Sequence, residues 1–71
     1  MPKSFTCRER EVLTYISKGY TNPEIAESLF LSVDTIKSHK KNLFQKLKAR
    51  NAVTAVVKGL QTGLITLDSV A

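Results

Sequence analysis

Cysteine is almost missing from the sequence: Cys7 stands alone, so no disulfide can form within the chain. His39 is the only histidine, and with Cys7 it makes too few soft or imidazole ligands for a zinc site. Long apolar runs are missing as well. None exceeds three residues, as in Leu29-Phe30-Leu31, whereas a membrane span needs roughly 20. The opening "MPKSFTCRERE" has no apolar segment of the kind a signal peptide carries. These absences point to a cytoplasmic, reduced location with no membrane partner and no metal. Nor is there a Gly-rich phosphate loop, a paired-carboxylate site, or a nucleophile in an identifiable relation to the histidine. The chain therefore offers no enzyme constellation and no cofactor site. One further absence is local: between Asp34 and Asp68 there is no acidic residue at all.

What is present fits a small folded domain. With 71 residues the chain holds one domain, spanning 1–71, with an ordered core from about 5 to 65. A chain of this size buries only about 60% of the surface exposed when unfolded, so its core is small. A hydrophobic content of 42% and a charged content of 24% are ordinary for a folded soluble protein. The formal charge of +5 implies an anionic partner, with nucleic acid and an acidic membrane surface as the usual candidates.

Four helical segments can be read, and no strand. Thr6 and Glu9 stand in the T-x-x-E relation of a capping box, followed by Val12, Leu13 and Ile16 at helical spacing, with Tyr15 flanking them. Gly19 is the natural stop. Thr21 and Glu24 repeat the capping spacing, either Thr21 or Asn22 being the cap, and Pro23 fits the first turn. Ile25, Ala26 and Leu29 form the apolar side of this second helix, which ends near Phe30. Ser32 caps a third, longer helix over 33–48, and Asn51 a fourth that stops at Gly63. Leu64 or Ile65 should pack back, with the last few residues frayed. Short connections between four helices predict an all-α fold, a compact four-helix bundle.

The stretch "SVDTIKSHKKNLFQKLKAR" carries six of the eleven basic residues and, in Asp34, a single acid. With Val33 at zero and about 100° per residue, Ile36, Leu43 and Leu47 fall near 300°. Val33 and Phe44 widen that arc, and Lys40 lies at its edge, where its stem can snorkel outward. Lys37, Lys48, Lys41, Asp34, Gln45 and Ser38 fall between about 40° and 140°, making one polar stripe. An ordinary solvated face would intersperse acids for i,i+4 pairing, and this one has none after Asp34. The stripe follows a helix–turn–helix in which Ala26 is small at the crossing and Leu31 can plug the corner. In such units the following helix enters the major groove of DNA. Phe30 departs from the generic form, holding the turn position often given to glycine.

"FTCREREVL", "GYTNPEIAESLFLSVDTIKSHKKNLFQKL" and "AVVKGLQTGLI" resemble the LuxR/GerE-type DNA-binding domain, the output module of NarL/FixJ response regulators and of quorum-sensing regulators. The R-E-x-E-V-L, T-N-x-E-I-A and T-I-K-x-H segments occur in order from about Phe5 to Ile65. The resemblance implies that helices two and three form the helix-turn-helix and that helix four serves dimerisation. It implies a transcription regulator binding double-stranded DNA sequence-specifically, as the output domain of a two-component response regulator or as a stand-alone GerE-like regulator. RNA polymerase is then a candidate partner. Carried over by position, Lys37, Ser38 and Lys41 are the base-reading residues. Thr21, Asn22, Ser32, Thr35 and Lys46 match positions that meet the phosphate backbone. Two departures stand out. Phe5 replaces the usual leucine, and Ala52-Val53 replace the arginine and threonine that usually open helix four, leaving Arg50 as the nearest arginine.

On helix four, Ala55, Val56 and Gly59 cluster on one side with Ala52 beside them, suiting a core contact. Val53, Val57 and Leu60 extend the apolar arc further than packing in one small bundle requires. A weak homodimer through Val53, Val57, Leu60 and Gln61 is expected; the alternative is that Leu64, Ile65 or the tail covers the valines. His39 is expected to pack or hydrogen-bond beside the apolar face, and Asn42 to make either a structural or a phosphate contact. Cys7 is read as a passive small residue, with a redox switch as the alternative. A rival to DNA binding docks the basic stripe on an acidic protein; a third reading is a sigma-factor-like promoter element.

Overall fold

Each helix begins where a side-chain oxygen can accept from an otherwise orphaned backbone N–H. In a computed structural model of the chain, which describes residues 5–66, the four helices are α1 (Cys7–Ser17), α2 (Asn22–Leu29), α3 (Val33–Leu47) and α4 (Ala52–Gln61). Thr6 Oγ1 accepts from Glu9 N at 3.0 Å while Glu9 Oε1 accepts from Thr6 N at 2.8 Å. Thr21, not Asn22, caps α2 in the same reciprocal way with Glu24, at 3.3 and 2.8 Å. Ser32 Oγ accepts from Thr35 N at 3.1 Å, and Asn51 Oδ1 from Thr54 N at 2.8 Å.

The helix stops fall into two kinds. Gly19 and Gly63 take positive φ values of 85° and 78°, which glycine adopts without steric cost. Phe30 and Lys48 take φ of 57° and 55° despite their side chains. At both, the next residue closes a bond across the helix end, Leu31 N to Ala26 O and Ala49 N to Phe44 O, each 2.9 Å. The observed end of α3 is thus one residue short of the expected Lys48.

Helix α3 packs against α1, α2 and α4, and α1 packs against α4. Val12 and Leu13 of α1, Ile25 and Ala26 of α2, and Ile36, Leu43 and Leu47 of α3 are buried at their meeting point. Ala55 and Gly59 bring α4 to the same core. A methyl group at Gly59 would stand 2.5 Å from Leu13 Cδ2 and 3.3 Å from Ile65 Cγ1, so glycine is what permits this approach. Beyond α4 the chain turns back. The N–H groups of Leu64 and Ile65 both donate to Gly59 O, and both side chains are buried. The fraying expected of the last residues lies outside the described residues. Ala52 corrects one expectation: it is exposed, because it lines an open groove at the start of α4 instead of meeting the core.

Candidate nucleic-acid interface

The packing of α3 sorts its lysines. With Ile36, Leu43 and Leu47 facing the core, Lys37, Ser38 and Lys41 are exposed on the opposite face. None of the three side chains makes a hydrogen bond or ion pair with another described residue. Two ammonium groups one helical turn apart therefore stand free, with a hydroxyl on the same stripe beside them. Asp34, in the first turn, lies where the N-terminal end of the helix dipole favours an anion.

Lys46 and Lys40 are placed differently. Lys46 Nζ donates to Glu9 Oε1 at 2.8 Å and sits 5.8 Å from the Phe5 ring centre. Glu9 is 3% exposed, so its carboxylate is a buried acceptor shared by Lys46 and the Thr6 N–H. Burial pushes the carboxyl upward, but the Lys46 hydrogen bond, the Thr6 N–H and the ammonium charge outweigh it and hold it below its ordinary range. An ammonium has three N–H groups, so Lys46 keeps donors for a phosphate after meeting Glu9. Lys40, expected to snorkel outward, is held instead: Nζ donates to Asn22 Oδ1 at 3.0 Å and lies 5.9 Å from the Phe44 ring centre.

The remaining backbone candidates gather at two helix starts. Thr21 and Asn22 open α2, while Ser32 and Thr35 open α3 with their hydroxyls 2.8 Å apart. The Thr21 and Ser32 hydroxyls already serve as caps. His39 is half-buried, Asn42 exposed and Cys7 exposed. Spacing in the sequence does not reveal the Glu9–Lys46 and Asn22–Lys40 bonds. They join residues 37 and 18 positions apart, and the capping box already gave Glu9 a local role.

A second surface lies on α4. Val53 is 75% and Val57 47% exposed, Leu60 is half-buried and Gln61 exposed. Ile65 packs over Gly59, and neither it nor Leu64 covers these valines; the tail lies outside the described residues. Val53, Val57, Ala52 and Val56 line an apolar groove of about 270 Å³ together with Ile16 and Ser17 of α1. Among the described residues no group of three or more His, Cys, Asp or Glu could hold a metal ion, and no helix is long and apolar enough to cross a membrane.

Comparison with known proteins agrees with this geometry. Residues 3–58 match the family of bacterial regulatory proteins called the luxR family. The oxygen regulatory protein NreC of Staphylococcus carnosus is 45% identical over 58 residues, which are 82% of this chain and 27% of that protein. The response regulator protein VraR of Staphylococcus aureus is 40% identical over 60 residues, 84% of this chain and 29% of its own length. VraR of Staphylococcus epidermidis matches to the same extent. The chain thus spans less than a third of the length of these relatives. Four helices in this arrangement, a free basic face on the third and a match over most of the chain lead to one conclusion: the chain belongs to the luxR family of bacterial regulatory proteins, as a DNA-binding helix-turn-helix domain.

Proposed function

We propose that α3 lies in the major groove of duplex DNA and that its free face reads the sequence there. Lys37 and Lys41 donate to guanine O6 or N7, and Ser38 donates to or accepts from a neighbouring base edge. Thr21, Asn22, Ser32, Thr35 and Lys46 meet the phosphate backbone on either side, through side chains and through the N–H groups at the starts of α2 and α3. The observation that carries this reading is that Lys37, Ser38 and Lys41 are exposed and unpaired on the face opposite the core. Affinity for duplex DNA should fall steeply with salt, log K losing about 0.9 per neutralised phosphate for each unit of log salt. Failure to bind duplex DNA even at low salt would favour the rival reading, in which the basic stripe docks an acidic protein.

Its relatives include a protein named as a response regulator, which supports a role as the output domain of a cytoplasmic two-component response regulator. Val53, Val57, Leu60 and Gln61 form a weak homodimer contact, because exposed valines on a helix already anchored by Ala55 and Gly59 gain from being covered. RNA polymerase is the candidate partner of the DNA-bound dimer. In ultracentrifugation Val57→Asp should abolish self-association, and in titration it should remove cooperative binding to DNA. Unchanged sedimentation and unchanged cooperativity together would rule the contact out.

A further inference from the structure

Lys40 and Asn22 form a unit whose chemistry is one-directional. The ammonium of Lys40 only donates, and the carboxamide nitrogen of Asn22 only donates, so the Asn22 atom facing Lys40 must be Oδ1. The 3.0 Å bond therefore decides which way the carboxamide is turned, with Nδ2 directed away from Lys40. Left to itself, an asparagine carboxamide rotates broadly about its terminal torsion. Here it is tied across two helices, from the first residue of α2 to the middle of α3. Lys40 is in turn held by the Phe44 ring at 5.9 Å, and both Lys40 and Asn22 are half-buried.

We propose that Lys40 is a positioning residue for DNA binding: it fixes the Asn22 carboxamide so that Nδ2 donates to a phosphate, and it does not itself meet the DNA. This rests on the backbone contact of Asn22 proposed above. Bracing is favoured over direct contact because Lys40 lies at the apolar edge of α3, away from Lys37 and Lys41, with its ammonium already engaged on two sides. Bracing and direct contact differ in their dependence on salt. A neutral amide that donates to a phosphate releases no counterion, whereas an ammonium that neutralises one does.

The test is a salt series of duplex DNA titrations, on a site selected from random duplexes, with wild type, Lys40→Met, Asn22→Ala and the double variant. Methionine keeps an unbranched stem against Phe44 and removes the donor. Each single variant should weaken binding roughly 2- to 12-fold, the range of one neutral hydrogen bond. Their plots of log K against log salt should run parallel to wild type, and the double variant should bind no worse than Asn22→Ala alone. In the DNA-free protein, relaxation of the side-chain amide of Asn22 should show order in wild type and mobility in Lys40→Met. The amides of Asn42 and Asn51 should stay unchanged, which a general loosening of the fold would not allow. A slope flattened by about 0.9 in Lys40→Met, or additive losses in the double variant, would overturn the positioning role alone. Wild-type affinity in Asn22→Ala would overturn the Asn22 contact as well.

Discussion

Helix α3 carries two populations of lysine, and the contrast between them teaches more than their number. Lys37 and Lys41 face outward with no partner among the described residues, while Lys40 and Lys46 are each bonded to another helix. The first pair is free to recognise a ligand, and its removal leaves nothing in the fold unsatisfied. The second pair ties α3 to the starts of α2 and α1. Charge alone does not separate the groups; the position of each residue around the helix, and what the neighbouring helices place beside it, does.

Lys46 offers the largest expected effect, because removing it strands a buried carboxylate. Lys46→Met should cost about 1.5–3 kcal/mol of stability, toward the lower end because the lysine side chain is 36% exposed and solvent screens the pair. The pH dependence has a definite sign. Glu9 is held below its ordinary value of 4.5 in the folded state, so its stabilising contribution is complete above that value. It is lost as pH falls through the lower folded value. In Lys46→Met burial is opposed only by the Thr6 bonds, so the folded value rises and the Glu9-linked loss of stability on acidification should shrink. Urea unfolding from pH 7 down to about 3 measures both effects. A variant as stable as wild type, with the same acid limb, would make Lys46 a free lysine like Lys37. Lys46→Met should also weaken all DNA sequences alike.

Lys41→Ala should reverse that pattern. Stability should stay within about 0.5 kcal/mol of wild type, as for an exposed residue with no partner. Binding to the cognate site should weaken by about 1–3 kcal/mol, with relaxed preference at one base pair. Equal losses on cognate and random DNA would move Lys41 from base reading to the backbone and erase the distinction between Lys41 and Lys46 on DNA.

The two populations were unequally legible in the sequence. The free face follows from helical periodicity, since the angular placement that sets Ile36, Leu43 and Leu47 inward sets Lys37, Ser38 and Lys41 outward. Helix starts were legible for the same reason, because capping is a relation between residues three apart. The braces were not. Each joins a lysine to a residue on another helix, and a lysine stem reaches in many directions, so neither partner follows from periodicity. Glu9 was further masked because its capping role was a sufficient local explanation. Ala52 failed differently: its angle on α4 faced the core, but as the first residue of the helix it lies beside an open groove.

The smallest effect separates the turn from both lysine populations. Phe30 is 95% exposed and left-handed, with φ of 57°. A non-glycine residue in that conformation costs about 1–2 kcal/mol, and an exposed ring recovers little of it by burial. Glycine removes the steric cost but loses about 0.5–1 kcal/mol to its greater freedom in the unfolded chain. Phe30→Gly should therefore stabilise the domain by about 0.5–1 kcal/mol, raising Tm by about 2–8 °C. The Leu31 N to Ala26 O bond that closes the turn is kept, so α2 and α3 hold their angle. The Lys40–Asn22 brace and the free face both lie outside the substituted residue, so DNA affinity and its salt slope should be unchanged. Weaker DNA binding in a more stable Phe30→Gly protein would mean that the left-handed phenylalanine itself helps set how α3 is presented.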